Sequence, residues 1–363
     1  MSLAIFFIII LFLAAIQTAI PFLTKRTIVF GVTIPEIYIN DEQIVFYKKK
    51  YAIFVFLISV IALGAYSIWA ITSKPTEELI VLAGTVIQFS IIFISMSLYF
   101  YFHGKVKQLK KSPKFTKNLK QVQITDITMR SQDSMLPSYV YFLPIIITIG
   151  MIGYTISQYS ILPEQIPTHW GPNGQADAFT AKTPFSVITL PLVLLIMQIM
   201  FLGMHLGTKK SGIKLSATHT TASRSRQLTL RKNTSWLMFL TSLLITILFS
   251  FLQFSTIHPN LISDFVMFLV PIVFLIVILV GTIIFALKVG RSDKQLPADI
   301  EGDITDYDED SYWKGGLFYF NKNDPSIFVE KRFGVGLTLN LANPLGYLIL
   351  ILPIIIILLI SFL

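Results

Sequence analysis

Apolar residues along this chain come in long unbroken runs, not in the alternating or three-to-four spacing of a water-facing fold. A helix needs about 20 mostly apolar residues to cross a bilayer's hydrocarbon core. Runs of that length lie at 3–23, 51–72, 79–102, 138–160, 185–206, 235–255, 264–287 and 345–363. The pattern therefore predicts eight spans, an all-α polytopic membrane protein. Between 288 and 344 it changes to extended character. GGLFYFN, SIFVEKR and GVGLTLNL read as three short strands, and TIVFGVTIPE after the first span has the same composition. A small cytoplasmic β-element is expected. Both regions carry a basic pair followed by Phe-Gly-Val: Lys25-Arg26 with Phe30, Gly31 and Val32, and Lys331-Arg332 with Phe333, Gly334 and Val335. The two are expected to pack together beneath the membrane, in the fullest version as one sheet.

Charge supplies the orientation. Of 29 Lys and Arg, only Lys74 and Lys182 fall in loops on one side; the rest lie in alternate loops on the other. The positive-inside rule makes the rich side cytoplasmic and sends both termini outward. The first span has no basic residue before it and Lys25-Arg26 directly after it, as in an uncleaved reverse anchor. The net charge of +9 then reflects loops lying on an anionic inner leaflet, and no nucleic-acid partner is called for. With 54% hydrophobic and 13% charged residues and a mean hydropathy of +0.70, a water-soluble globular fold is excluded. The absence of Cys removes disulfides, thiolate metal sites and cysteine nucleophiles. The expected partition is 1–137, three helices with inner loops; 138–206, a helix pair carrying the one long outer loop; 207–287, a basic loop and helix pair; 288–344, an acidic and β-rich segment; and 345–363, a last helix.

Candidate chemistry concentrates in that outer loop, LPEQIPTHWGPNGQADAFTAK. Its prolines and glycines prescribe a definite path. It carries Pro163, Pro167, His169, Trp170, Asn173, Gly174, Asp177 and Lys182, as ligand contacts or as residues that structure the loop. His169 and Asp177 are a conceivable zinc or proton-handling pair, with His258 a further nitrogen if the fold brings it near, but they fall short of three protein ligands. The acidic run Asp303, Asp306, Asp308, Glu309 and Asp310 lacks calcium-loop spacing and is expected to pair with the basic inner loops. No HExxH, GxSxG, Walker A or GxGxxG is present, so neither catalytic residue nor cofactor is nominated. Within the spans, Gln17, Gln88, Gln198 and Gln253 read as interhelical hydrogen-bonding groups. Pro144, Pro191, Pro271 and Pro353 read as kinks, and Asp264 lies too near an edge for ion pumping.

The loop string resembles the characteristic loop of the SdpI-like bacterial integral membrane family, through Leu162, Pro163, Ile166, Pro167, His169, Trp170, Asn173, Gly174, Asp177 and Lys182. The stretch WKGGLFYFNKNDPSIFVEKRFGVGLTLNLANPLGY is similar to a second uncharacterised domain found in the same kind of chain. The resemblance implies a plasma-membrane protein of a Gram-positive bacterium. In the family's best-understood branch, which has fewer spans, the role is immunity to a secreted toxin and signalling to a cytosolic regulator. The favoured expectation is therefore a non-enzymatic protein that senses, or gives immunity to, an extracellular membrane-active peptide. Its partners would be the lipid bilayer, that peptide and a cytoplasmic regulator. The alternative is a transporter or permease-like subunit working with a separate ATPase; a metal-dependent membrane enzyme ranks last.

Overall fold

The computed structural model describes residues 2–25, 27–112, 115, 120–122, 132–171, 174–292 and 304–361. Among them are eight α-helices: α1 Ser2–Leu23, α2 Glu42–Ser73, α3 Glu77–Lys110, α4 Phe142–Ser157, α5 Thr189–Lys210, α6 Thr220–Ile257, α7 Asp264–Arg291 and α8 Pro344–Ser361. The chain is an all-α polytopic membrane protein. Seven helical segments are long and apolar enough to cross a bilayer, and α8 is a shorter apolar helix. Large apolar side chains point outward along them, including Ile61, Ile68 and Ile71 on α2 and Leu82, Phe89 and Phe93 on α3. That arrangement suits a lipid solvent, which exacts no penalty for exposed hydrocarbon.

Several helices run well past their apolar spans. α2 starts at Glu42 behind the N-cap Asp41, whose carboxylate accepts from the Gln43 amide at 2.9 Å, so Lys48 to Lys50 are helical. At 1.5 Å per residue α2 is about 48 Å long, beyond the roughly 30 Å of hydrocarbon. Hydropathy locates the span but not the helix end, because Lys, Glu and Gln are good helix formers in water. Pro144 and Pro191 correct another expectation. Both lie in the opening turn of their helices, where a missing N–H leaves no bond unmade, whereas Pro271 and Pro353 are interior.

The chain divides into two compact units. The first comprises Met1–Ser134, Ser211–Arg231 and Ile283–Asn343; the second comprises Met135–Lys210, Lys232–Thr282 and Pro344–Leu363. In the first, α1, α2 and α3 pack together, and the extended segments form separate two-stranded sheets. These are β1 Ile28–Val29 with β2 Val32–Thr33, β3 Lys120–Val122 parallel to β6 Ile304–Asp306, β7 Trp313–Lys314 with β8 Phe318–Tyr319, and β9 Phe328–Glu330 with β10 Leu337–Leu339. In the second unit, β4 Gln165–Trp170 and β5 Ala176–Ala181 form the hairpin between α4 and α5.

The two Phe-Gly-Val segments do pack together, but not as one sheet. Phe30 and Gly31, at φ of 44° and 77°, form the two-residue turn of the β1–β2 hairpin, a geometry with both central residues left-handed. A phenylalanine there is strained, and its surroundings hold it. Its ring centroid lies 5.3 Å from Phe102, 5.4 Å from Tyr51 and 6.4 Å from Phe333, and its carbonyl is 2.7 Å from His103 Nδ1. GGLFYFN is not one strand. Gly315 and Gly316, both at positive φ, turn the chain between β7 and β8, and the Gly31 tip meets Gly316. A Cβ on Gly31 would stand 2.7 Å from the Gly316 Cα, so two backbones approach where only glycine fits. The third expected strand is likewise shorter: Gly334 and Gly336 are turn residues at φ of 93° and 116° that lead into β10.

Candidate functional site

The long loop of the second unit is a β-hairpin rooted at both ends. At its base Leu162 and Ile166 are buried in an apolar cluster with Val187 and Ile257. Lys182 is half-buried there. Its Nζ donates to the Leu162 carbonyl at 2.8 Å, lies 3.6 Å from Glu164 and sits 4.9 Å over the Tyr159 ring. The cation thus closes the base of the hairpin and does not face outward. At the tip, Gly174 has φ of 80°, and a Cβ there would stand 3.0 Å from the α7 backbone at Met267. Both a left-handed turn and a close approach require glycine at this position.

Between root and tip the strands are irregular. Ile166 pairs with Thr180 and Pro167 with Phe179, but then His169 pairs with Ala178 and Trp170 with Ala176. Thr168 and Asp177 have no opposite partner. Proline cannot donate to a ladder, and bulges arise where pairing is broken in this way. The bulges re-aim the side chains so that His169 Nδ1 lies 2.5 Å from Asp177 Oδ1, with both side chains more than half exposed at 67% and 52%. With the Nδ1 proton directed at the carboxylate, Nε2 is left facing solvent. Phe179 on β5, and Ile161 and Phe185 on either side of the hairpin, are exposed, and Trp170 is half-buried. Asn173 lies outside the described residues, as do Arg26 and Asp303. Pro163 is exposed just before β4. His258 is engaged elsewhere, its Nε2 2.7 Å from the Tyr154 hydroxyl. Among the described residues no group of three His, Asp or Glu is placed to hold a metal ion.

Beneath the hairpin, polar residues recur at intervals of seven residues, once of four, along three helical segments: Tyr141, Thr148 and Thr155; Gln198 and His205; and Ser235, Ser242, Thr246 and Gln253. The registers meet. Gln198 Nε2 is 2.7 Å from Thr148 Oγ1, 2.8 Å from Thr246 Oγ1 and 3.1 Å from the Pro144 carbonyl. Gln253 Nε2 donates to Thr155 Oγ1 and to the Val187 carbonyl. Tyr141 donates to the Ser235 carbonyl, and its ring lies tilted against His205 with centroids 4.6 Å apart. The interhelical role expected of Gln198 and Gln253 is what they perform. The heptad seam itself is visible in the sequence once the helices are aligned, since each polar position repeats on one face.

In the first unit the acidic run pairs with basic residues, as expected. Lys110 bridges Asp308 and Asp310 at 2.7 Å each, and Lys214 meets Glu309 at 2.7 Å and Asp324 at 2.9 Å. Asp310 also accepts from the Thr33 amide and hydroxyl and pairs with Arg332, which in turn donates to the Gly31 carbonyl at 3.0 Å. Burial by itself would raise the Asp310 carboxyl, but Arg332 and Lys110 outweigh it and hold it at about 2. Asp324 is likewise held at about 2 against its burial, by hydrogen bonds from Ser326 and by Lys214. Nothing in the pattern of residues marks Arg226, which among the described residues is the most deeply buried cation. It is 1% exposed, and its partners come from segments far away along the chain.

Residues 146–195, from within α4 through the hairpin into α5, match a domain of unknown function, DUF1648. Residues 322–347, spanning β9 and β10, match a family of unknown function, DUF5808. The first domain occurs in SdpI-like proteins, so both matches are compatible with that resemblance. Comparison with curated proteins and with solved structures finds no match.

Proposed function

We propose that this multi-pass membrane protein recognises a membrane-active peptide outside the cell, sensing it or giving immunity to it, and that it does so without catalysing a reaction. The supporting observation is the β4–β5 hairpin. It is rooted in a buried apolar cluster, it carries the exposed His169–Asp177 pair with Phe179 exposed on the same strand as Asp177, and among the described residues it is a sheet of two strands with no third strand beside it. An extended peptide can add to such an edge through main-chain hydrogen bonds, while Phe179 and Ile161 take its apolar side chains and Asp177 a cationic one. In this reading the hairpin and both termini face outward, and the β-rich part of the first unit faces a cytoplasmic regulator.

The test compares cells without the protein, with wild type, and with His169→Ala/Asp177→Ala at equal membrane levels, challenged with secreted peptide toxins and read by depolarisation. Protection by wild type and its loss in the double variant are expected; equal depolarisation in all three overturns the reading. Cysteines at exposed Ala178 and Asn323 test sidedness, since the chain has no Cys of its own. An impermeant thiol reagent should label the first and not the second in intact cells.

The buried polar seam favours a second reading, a transporter or permease-like subunit partnered with a separate ATPase. Solute flux in reconstituted vesicles that is abolished by Gln198→Leu, with toxin protection absent, would replace the first reading by this one.

A further inference from the structure

The β7–β8 hairpin of the first unit has two unlike faces. Trp313 stands opposite Tyr319, and Lys314 opposite Phe318. Side chains alternate across a strand, so the two pairs point to opposite sides. On one side Trp313 and Tyr319 are buried against each other, with ring centroids 5.1 Å apart. On the other, Lys314 is exposed, Phe318 is 57% exposed, and Phe320, two residues on, is 41% exposed. Two phenyl rings and a cation thus share one uncovered face, and in water that face forgoes the burial of both rings.

The place of the hairpin indicates what covers it. Its Gly315–Gly316 turn lies against α3. The Tyr99 hydroxyl donates to the Gly315 carbonyl at 2.9 Å, and a Cβ on Gly315 would stand 3.1 Å from the Phe100 ring. Tyr99 and Phe100 belong to the closing turn of the apolar run at 79–102, ahead of the cation Lys105. Long side chains on a helix lean toward its N-terminus, which for these residues is the direction of the bilayer centre. The turn is therefore level with the last apolar residues of α3 and not with the charged turns beyond them. Phe100 and Tyr101 are exposed at that level, and Lys105 Nζ sits 5.6 Å over the Tyr101 ring. Aromatic rings with a cation reaching past them are what a helix presents at a membrane–water interface. Phe318, three residues from Gly315, is within about 10 Å of it at strand spacing. The carboxylates that precede the hairpin are neutralised within the protein, Asp308 and Asp310 by Lys110 and Glu309 by Lys214, so they do not repel an anionic headgroup.

We propose that the β7–β8 hairpin is an interfacial anchor, which lays Phe318 and Phe320 into the leaflet beside the C-terminal end of α3 and holds Lys314 among the lipid phosphates. The surface continues the lipid-facing side of α3 outside the spans. It does not depend on what the β4–β5 hairpin binds.

The test uses the full chain, which has no Cys of its own, in nanodiscs of phosphatidylcholine with or without phosphatidylglycerol. Phe318→Cys and Phe320→Cys each carry a nitroxide. Its collisions with oxygen, which concentrates in lipid, and with a water-soluble nickel chelate report its depth. Two exposed positions on α3 calibrate the scale: Phe93→Cys, within the span, and Lys111→Cys, about 16 Å past Phe100 along the helix axis. At Phe318→Cys and Phe320→Cys, nickel access is expected to be several-fold below that at Lys111→Cys, and oxygen access above it. Lys314→Glu should raise nickel access at Phe320→Cys when phosphatidylglycerol is present, because like charges repel. Either label carries the test if the other variant does not insert. Nickel access equal to that at Lys111→Cys overturns the proposal. So does a face that is open to nickel in nanodiscs but shielded in cells, an outcome that would assign it to a protein partner.

Discussion

Arg226 Nε donates to Glu330 Oε1 at 2.5 Å, joining the start of α6 to strand β9 where the arginine is almost wholly buried. The same guanidinium reaches the Leu23 carbonyl at 3.3 Å and the Val289 carbonyl at 3.5 Å, near the C-terminal ends of α1 and α7. Carbonyls there lack intrahelical donors and carry the negative end of the helix dipole, so one cation serves two helices and a strand.

Removing either member of this pair leaves the other charge buried and uncompensated. Glu330→Gln is expected to destabilise the first unit by about 3 kcal/mol or more, and Arg226→Met by a similar amount. Arg226→Met with Glu330→Met should cost clearly less than the sum. Thermal unfolding in detergent across the double-mutant cycle checks this, and additive losses would refute the coupling.

Gly31→Ala is expected to be far worse than an ordinary loop substitution. It forces a side chain into positive φ and against both the Tyr99 hydroxyl and the Gly316 backbone. Loss of membrane-inserted protein, or increased protease access to the β7–β8 segment, is the readout. Gly64→Ala, on a helix with nothing within 4 Å, is the matched control and should be neutral or stabilising.

Acid should loosen the β-rich region before the helices. Asp310 and Asp324 are both depressed to about 2 from 3.8, so their stabilisation is complete above about pH 4 and is lost as pH falls toward 2. A shift of that size amounts to about 2 kcal/mol for each group. At the other extreme Lys214 is raised by Glu309 and its hydrogen bonds in spite of burial, and burial pushes Tyr319 up to about 12. Both favour the protonated form when folded, so stability is lost as pH rises beyond about 10. Tryptophan emission near Trp313, followed against pH, should show a plateau between these limits.

Gln198→Leu tests the seam of the second unit. Interhelical hydrogen bonds in membranes average about 0.6 kcal/mol and reach about 1.7, and Thr148 and Thr246 keep backbone acceptors of their own. The expected loss is therefore about 1 to 2 kcal/mol in a reversible unfolding assay. A loss of 4 kcal/mol or more would mean that the amide holds the bundle by more than these contacts.

The spans were legible in the sequence because a bilayer imposes a single requirement, about 20 apolar residues in a row, that needs no knowledge of neighbours. Gln198 and Gln253 could be assigned to helix contacts for the same reason: a polar group in hydrocarbon must find a partner. The loop between α4 and α5 was recognisable as ordered from its prolines and glycines, but not as a hairpin, because Pro167 and two bulges break the alternation by which strands are read. The Phe30–Gly31 turn lacks the usual Asn-Gly signal and is stable only because Tyr51, Phe102 and Phe333 converge on it.

What the sequence alone determined is thus the solvent: which segments are long and apolar enough to lie in lipid. Its rules are local and depend on composition. Only the tertiary structure decided which charge meets which. Arg226 with Glu330 and Lys214 with Asp324 are joined across more than a hundred residues and Arg332 with Asp310 across 22, and electrostatic pairing depends on distance in space, which no periodicity records.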